Sequence, residues 1–186
     1  MRSYKVLNKQ EFSNNEYRLV PIRNEDSYEI MKWRNEQIYH LRQSEPLTKE
    51  EQDDYFENVV GQLFGQEQPN QILFSFMKDK ECIAYGGLVH INWADRHGEI
   101  SFLIKTEQEK TQFSNLWTKY LELIEYVAFE ELGLHKIFTY AIDLRPKLYP
   151  ILIAAGFEKE AVLKEHILQN EAYIDVVMHR KLNTLE

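Results

Sequence analysis

His90 and Asn92 stand two residues apart in a run from Cys82 to about Ile91 that reads as a strand, so alternation would turn both side chains to one face. An imidazole with an ordinary pKa of about 6.5 takes up and returns protons near neutral pH, which makes His90 a candidate proton relay. A hydrogen-bonded sheet histidine is the other reading. Trp33-Arg34-Asn35 and Arg42 offer a second chemistry. A guanidinium grips a phosphate or carboxylate and an indole packs on a ring, so these residues suit an acceptor pocket. The alternative is a core Trp33 with surface arginines. Glu50, Glu51, Asp53 and Asp54 form either a solvated helix face or a negative lip that attracts a cationic amine. His97, His135, His166 and His179 occur singly without metal-ligand spacing, and no metal site is assigned.

Those side chains must be positioned by a folded body, and the chain is long enough to supply one. With 186 residues, 44% of them apolar and 13% aromatic, it can bury a full core, and residues 1–186 read as a single domain. A formal charge of -8 and a pI near 5.3 exclude a protein held on nucleic-acid phosphates by a general positive field. Cys82 is the only cysteine, so no internal disulfide forms, which suits a reducing compartment. Met1 to Gln10 lack the apolar centre of a signal peptide, and no run approaches the roughly 18 apolar residues of a membrane helix. The expectation is a soluble, cytoplasmic protein that binds neither nucleic acid nor membrane.

The elements follow from period and punctuation. Tyr17 to Arg23 alternates as a strand, Asn24 to Ser27 offers capping acceptors, and a helix begins near Tyr28. Leu41 to Leu47 reads as a loop, and Thr48 with Glu51 forms a capping box that opens a second helix. Ile72 to Met77, Cys82 to Ile91 and Glu99 to Lys105 read as three antiparallel strands joined at Asp79-Lys80 and Asp95 to Gly98. Gly86-Gly87 inside the middle strand marks a bulge or a close backbone approach. Phe113, Trp117, Leu121, Ile124 and Ala128 repeat at helical spacing, predicting a helix to Leu132 that Gly133 ends. Lys136 to Ile142 reads as a strand buried on both faces, Lys147 to Ala155 as a short helix, and Ala161 to Ile167 with Tyr173 to Met178 as a terminal hairpin. The sum is one α/β (α+β) domain with a mixed sheet.

Taken in order, Glu99-Ile-Ser-Phe-Leu-Ile104, the helix end Glu-Glu-Leu-Gly-Leu-His-Lys-Ile137, Ile-Ala-Ala-Gly156-Phe157 and the hairpin strand Tyr173 to Met178 resemble the GNAT superfamily of acyl-coenzyme A N-acetyltransferases. Trp33-Arg34-Asn35 followed by Thr48 to Glu51 is similar to the branch with ribosomal-protein alanine and sugar-nucleotide amine acetyltransferases. The resemblance spans Tyr17 to Leu182. It implies a mixed, mostly antiparallel twisted sheet flanked by helices, in which two central parallel strands, here Ile100 to Ile104 and Ile137 to Ile142, splay apart. Unpaired backbone groups in such a cleft need partners.

By the same resemblance, acetyl-CoA is the cosubstrate and the backbone of Phe102, Leu103 and Ile104 meets its pantetheine arm. The pyrophosphate falls to Gln112, Phe113, Ser114 and Asn115 at the start of the long helix, with Phe113 and Asn115 standing where glycines are expected. Arg145 occupies the place of a cofactor-contacting Asn, eleven residues before Gly156. Leu152 stands where many members carry a proton-donating Tyr, and Tyr149, about one turn earlier, is the substitute. Glu99 falls where several members carry a general base, against a reading as a solvated strand-end charge. Trp33, Arg34 and His90 are the candidate acceptor contacts. The implied activity is transfer of an acetyl group to a primary amine by direct attack without a metal, in a monomer or homodimer. An amino sugar nucleotide or a protein N-terminus is favoured over an antibiotic or a polyamine. A fold retained for ligand or partner binding without transfer is the alternative.

Overall fold

A computed structural model describes residues 2–184. Eight strands form one sheet: β1 (Phe12–Asn14), β2 (Tyr17–Pro21), β3 (Ile72–Lys78), β4 (Glu81–Asn92), β5 (His97–Ile104), β6 (Lys136–Ile142), β7 (Glu158–Gln169) and β8 (Ala172–Leu182). Their order is β1-β2-β3-β4-β5-β6-β8-β7, and every neighbouring pair is antiparallel except β5 and β6. The mixed, mostly antiparallel sheet with one central parallel pair agrees with the fold expected from sequence. Strand β1 was not expected; Asn15, in a left-handed conformation at φ 54°, folds it back onto β2.

Helices cover the sheet. α1 (Ser27–Glu36) is followed by a short 3₁₀ turn, Ile38–His40, and by the loop that carries Arg42. α2 (Lys49–Asp54) opens with the expected capping box: the Glu51 amide donates to Thr48 Oγ1 at 3.2 Å, and the Thr48 amide donates to Glu51 Oε2 at 2.8 Å. It continues through a π-helical stretch, Tyr55–Val60, into α3 (Gly61–Leu63). α1 has no side-chain cap, contrary to expectation, because Asp26 is engaged elsewhere. Its carboxylate accepts from Arg23 Nε and Nη2 at 2.7 and 2.6 Å and from Ser75 Oγ at 2.6 Å.

The crossover from β5 to β6 runs through α4 (Thr106–Glu109) and α5 (Phe113–Tyr126), then a π-helical stretch, Val127–Glu131. Phe113, Trp117, Leu121, Ile124 and Ala128 are all buried, as their spacing predicts. Leu116, Tyr120 and Leu123 widen that stripe, and Gly133 ends the crossover helix at φ 61°. α6 (Tyr149–Ala154) precedes the β7-β8 hairpin, whose turn places Asn170 and Glu171 at φ 49° and 63°.

Two local features set the cleft. Parallel pairing of β5 and β6 covers only His97 with Lys136, Gly98 with Ile137 and Glu99 with Phe138; beyond that point the strands part. β6 is therefore not buried on both faces as expected: Phe138, Tyr140 and Ala141 remain half-exposed on the opened side. The second feature is a bulge in β4 between Val89 and Asn92, where His90 adopts φ 49°. It breaks the alternation that would have paired His90 with Asn92. Asn92 instead closes the next turn through Asp95.

Gly86 explains how α5 lies so close to the sheet. A β-carbon there would fall 2.2 Å from the Ser101 carbonyl oxygen and 2.7 Å from the Tyr120 hydroxyl. Gly86→Ala is expected to cost about 3 kcal/mol or more of stability. Gly65→Ala, which meets nothing within 4 Å, should change it by less than about 0.5 kcal/mol. Urea unfolding of both variants checks this; equal midpoints would remove the close-approach account.

Candidate active site

Where β5 and β6 part lies a cavity of about 340 Å³, walled by Glu99 to Phe102 on one side and Thr139 to Ile142 on the other. Glu99, the last β5 residue paired to β6, is only 5% exposed. Its Oε2 lies 2.9 Å from His90 Nδ1, and its Oε1 meets the Arg42 guanidinium. The Arg42 guanidinium also lies over the Tyr140 ring, 4.6 Å from its centroid. A carboxylate only accepts, so Nδ1 carries the proton of that hydrogen bond, and Nε2 is the nitrogen left to exchange a proton. The bulge that aims this imidazole is what no alternating pattern shows.

A second cavity, about 380 Å³, adjoins the first between α1, α2 and the sheet; Arg34, Gln71, Val89 and Ser101 line both. Arg34 Nη1 donates to the Tyr85 hydroxyl at 2.7 Å and Nε donates to Gln43 Oε1 at 2.9 Å. Its body is apolar, with Ile22, Ile30, Leu47, Phe56 and Leu73 on the walls.

The profile of the Acetyltransferase (GNAT) domain matches residues 19–178 of this chain. The chain belongs to the GNAT acetyltransferases. Among solved structures, spermidine N-acetyltransferase from Vibrio cholerae in complex with CoA and spermine superimposes with a TM-score of 0.77 at 22% identity, covering 91% of this chain and 96% of that one. A dodecameric structure of the Vibrio cholerae enzyme gives 0.71 at 23% identity, over 91% of this chain and 95% of that one. These likenesses establish the fold.

Within this GNAT fold the expected residues divide. Glu99, Arg34, His90, Phe102 and Arg145 line the first cavity. Trp33 does not: it is 1% exposed and sits in the core, which decides between its two readings. Leu103 and Ile104 are buried, and the Ile104 carbonyl accepts from Gln37 Nε2 at 2.8 Å. Tyr149 lies outside the cavity lining. Its hydroxyl donates to Asp143 Oδ1 at 2.7 Å, and burial together with that carboxylate pushes its pKa up. At the start of α5, Gln112 is the N-cap residue, and neither Phe113 nor Asn115 has a positive φ. A left-handed glycine loop is therefore not built here. Phe113 is buried and its ring faces the charges of Lys147 at 4.0 Å and Arg145 at 5.7 Å, while Asn115 Nδ2 donates to the Tyr17 hydroxyl at 3.1 Å. Gln112 and Ser114 are exposed.

Arg145 is the electrostatic outlier. Burial lowers its pKa, and its guanidinium makes no hydrogen bond or ion pair among the described residues. Three members of the acidic stretch are engaged locally: Glu51 closes the capping box, Asp53 accepts from the Tyr28 hydroxyl and Asp54 from Asn58. Among the described residues no group of three or more His, Cys, Asp or Glu is placed to hold a metal, and no helix is long and apolar enough to cross a membrane.

Sequence reading missed His40 and Tyr140, which line the first cavity from the 3₁₀ turn after α1 and from β6. Nothing in their spacing distinguishes them. Burial and the nearby Arg145 charge drop the His40 pKa from 6.5 to about 3, so the native ring is neutral. As pH falls below about 6.5 the unfolded chain takes up a proton there that the native state refuses until about pH 3, so stability drains across that window. His40→Gln is expected to flatten the fall in urea midpoint between pH 6.5 and 4 relative to the native chain, leaving a smaller slope from His179, whose pKa burial also lowers. Parallel curves for the two proteins would contradict this.

Proposed function

We propose that this chain is an acetyl-CoA-dependent N-acetyltransferase acting on a primary amine, as a single cytoplasmic domain. The observation that carries the reading is the buried Glu99 carboxylate at the point where β5 and β6 separate, hydrogen-bonded to His90 on one oxygen and paired with Arg42 on the other. A thioester supplies an activated acetyl carbonyl, and the reaction needs a neutral amine, a route for its proton and a partner for the developing oxyanion.

This chain holds groups suited to the proton route and to the cofactor. The carboxylate of Glu99 orients His90 Nδ1–H so that Nε2 takes the proton of the attacking amine. Arg42 offsets the carboxylate charge in the cleft and holds its own loop against Tyr140. Phe102, Leu103 and Ile104 continue along β5 past the last pair with β6, where an extended ligand chain can align beside them. The unpaired Arg145 and the uncapped N-terminus of α5 at Gln112 to Asn115 suit a pyrophosphate. That donor set fits acetyl-CoA without a left-handed loop, because helix amides and a guanidinium replace it. Sugar-nucleotide amines, protein N-termini and the polyamine acted on by the Vibrio cholerae enzyme are the acceptor classes to compare.

Retention of the fold for binding alone rests on Phe113, which is buried and stands where the resemblance expects a glycine. Calorimetric titration with acetyl-CoA separates the two: micromolar binding that Arg145→Gln weakens at least about tenfold supports the cofactor assignment. Absence of binding at millimolar acetyl-CoA would favour the binding module. With a turned-over amine in hand, Glu99→Gln is expected to lower kcat about a hundredfold while leaving the acetyl-CoA Kd within about twofold. An unchanged kcat would remove Glu99 from the chemistry.

A further inference from the structure

The second cavity carries a charge pattern that says more about the acceptor than the fold does. Among the described residues, the charged ones that line it are Arg34 and Glu51. Glu51 is committed to its own helix start, with Oε2 accepting from the Thr48 amide at 2.8 Å and from Thr48 Oγ1 at 2.9 Å. Arg34 is the opposite case. It has no carboxylate partner among the described residues; its two bonds go to a neutral phenol, Tyr85, and a neutral amide, Gln43. Of the five N–H groups of a guanidinium, those two bonds use one on Nε and one on Nη1, which leaves three, including both on Nη2.

A half-buried positive charge held by neutral partners, with spare donors beside an apolar chamber, is a receptor for an anion. Its place fixes what the anion belongs to. Arg34 lines both cavities, so a ligand anchored on it reaches Glu99 and His90 from the acceptor side. We infer that the acceptor is a primary amine carrying an anionic group, carboxylate or phosphate, which Arg34 grips while Ile30, Leu47, Phe56 and Leu73 cover its apolar body. This rests on the acetyltransferase reading given above.

A polycation fits poorly. Several ammonium groups would need several free carboxylates, whereas Glu51 is capped and Glu99 is shared between Arg42 and His90. The remaining charged side chains lining the two cavities, Arg34, Arg42 and Arg145, are all positive.

The test uses amine-free anions first, so that binding is read without transfer. Benzoate and phenyl phosphate are titrated by calorimetry into the native chain, Arg34→Gln, Arg34→Lys and Arg145→Gln, with thermal unfolding of each variant checking that it is folded. The inference expects binding that weakens roughly ten- to hundredfold in Arg34→Gln and partial retention in Arg34→Lys; weakening by Arg145→Gln in place of Arg34→Gln would assign the anion to the cofactor site and overturn it. The stronger of the two anions identifies carboxylate or phosphate as the natural group. Coenzyme A release is then followed with para-aminomethylbenzoate against its neutral amide, O-phosphotyramine against tyramine, and spermidine. A kcat/KM at least about tenfold higher for the anionic member of a pair, lost in Arg34→Gln, supports the inference. No anion binding, binding unaffected by Arg34→Gln, or a preference for spermidine or the neutral amines overturns it. Anion binding at Arg34 without transfer to any amine would leave the site standing and remove the acetyltransferase reading instead.

Discussion

Two strands that lie side by side for three residue pairs and then separate account for nearly everything else in this molecule. β5 is held along its length by β4, from Glu99 against Val89 to Ile104 against Ala84, and β6 is held along its length by β8, from Lys136 to Ile142. Neither strand can follow the other without breaking its ladder on the far side. Tyr120 reinforces the choice, stacking on Phe102 at 3.8 Å and donating to the Ser101 carbonyl at 2.8 Å, which ties β5 to α5 just past the fork. The backbone edges freed by the fork are what a ligand can satisfy.

At the fork the chain places its costly groups. Glu99 is a buried carboxylate, and burial of a charge is tolerated only when it is paired and hydrogen-bonded, as it is here by Arg42 and His90. The pairing in turn requires His90 to sit at φ 49°, a conformation that costs an ordinary side chain roughly 1 kcal/mol or more. Strain at that position is consistent with a residue selected for where its ring points. Arg145 adds a half-buried charge that faces the Phe113 ring and has no hydrogen bond or ion pair among the described residues.

The chain is acidic overall, at -8, yet among the described residues the first cavity is lined by one carboxylate, Glu99, against Arg34, Arg42 and Arg145. Net charge governs the long-range field, whereas selection of a ligand depends on the few charges within several ångströms in a low-dielectric cleft. The two have opposite sign here.

Much of the scaffold was determined by sequence: the Thr48–Glu51 capping box, the α5 stripe from Phe113 to Ala128, the close approach at Gly86-Gly87 and the β7-β8 hairpin all follow from local spacing and backbone sterics. GNAT membership was legible in the order of those elements, together with Glu99 as a residue at the cleft. Tertiary structure alone decided the rest. Alternation put His90 beside Asn92, but a bulge of one residue turned it to Glu99. Trp33 had the composition of a binding aromatic and went into the core, while Arg34, its neighbour, came to line both cavities. Tyr149 kept helical spacing to the expected place, yet its hydroxyl found Asp143. Periodicity reports which residues share a face of one element; which faces meet, and which charges then lack a partner, is set by long-range packing that no local pattern encodes.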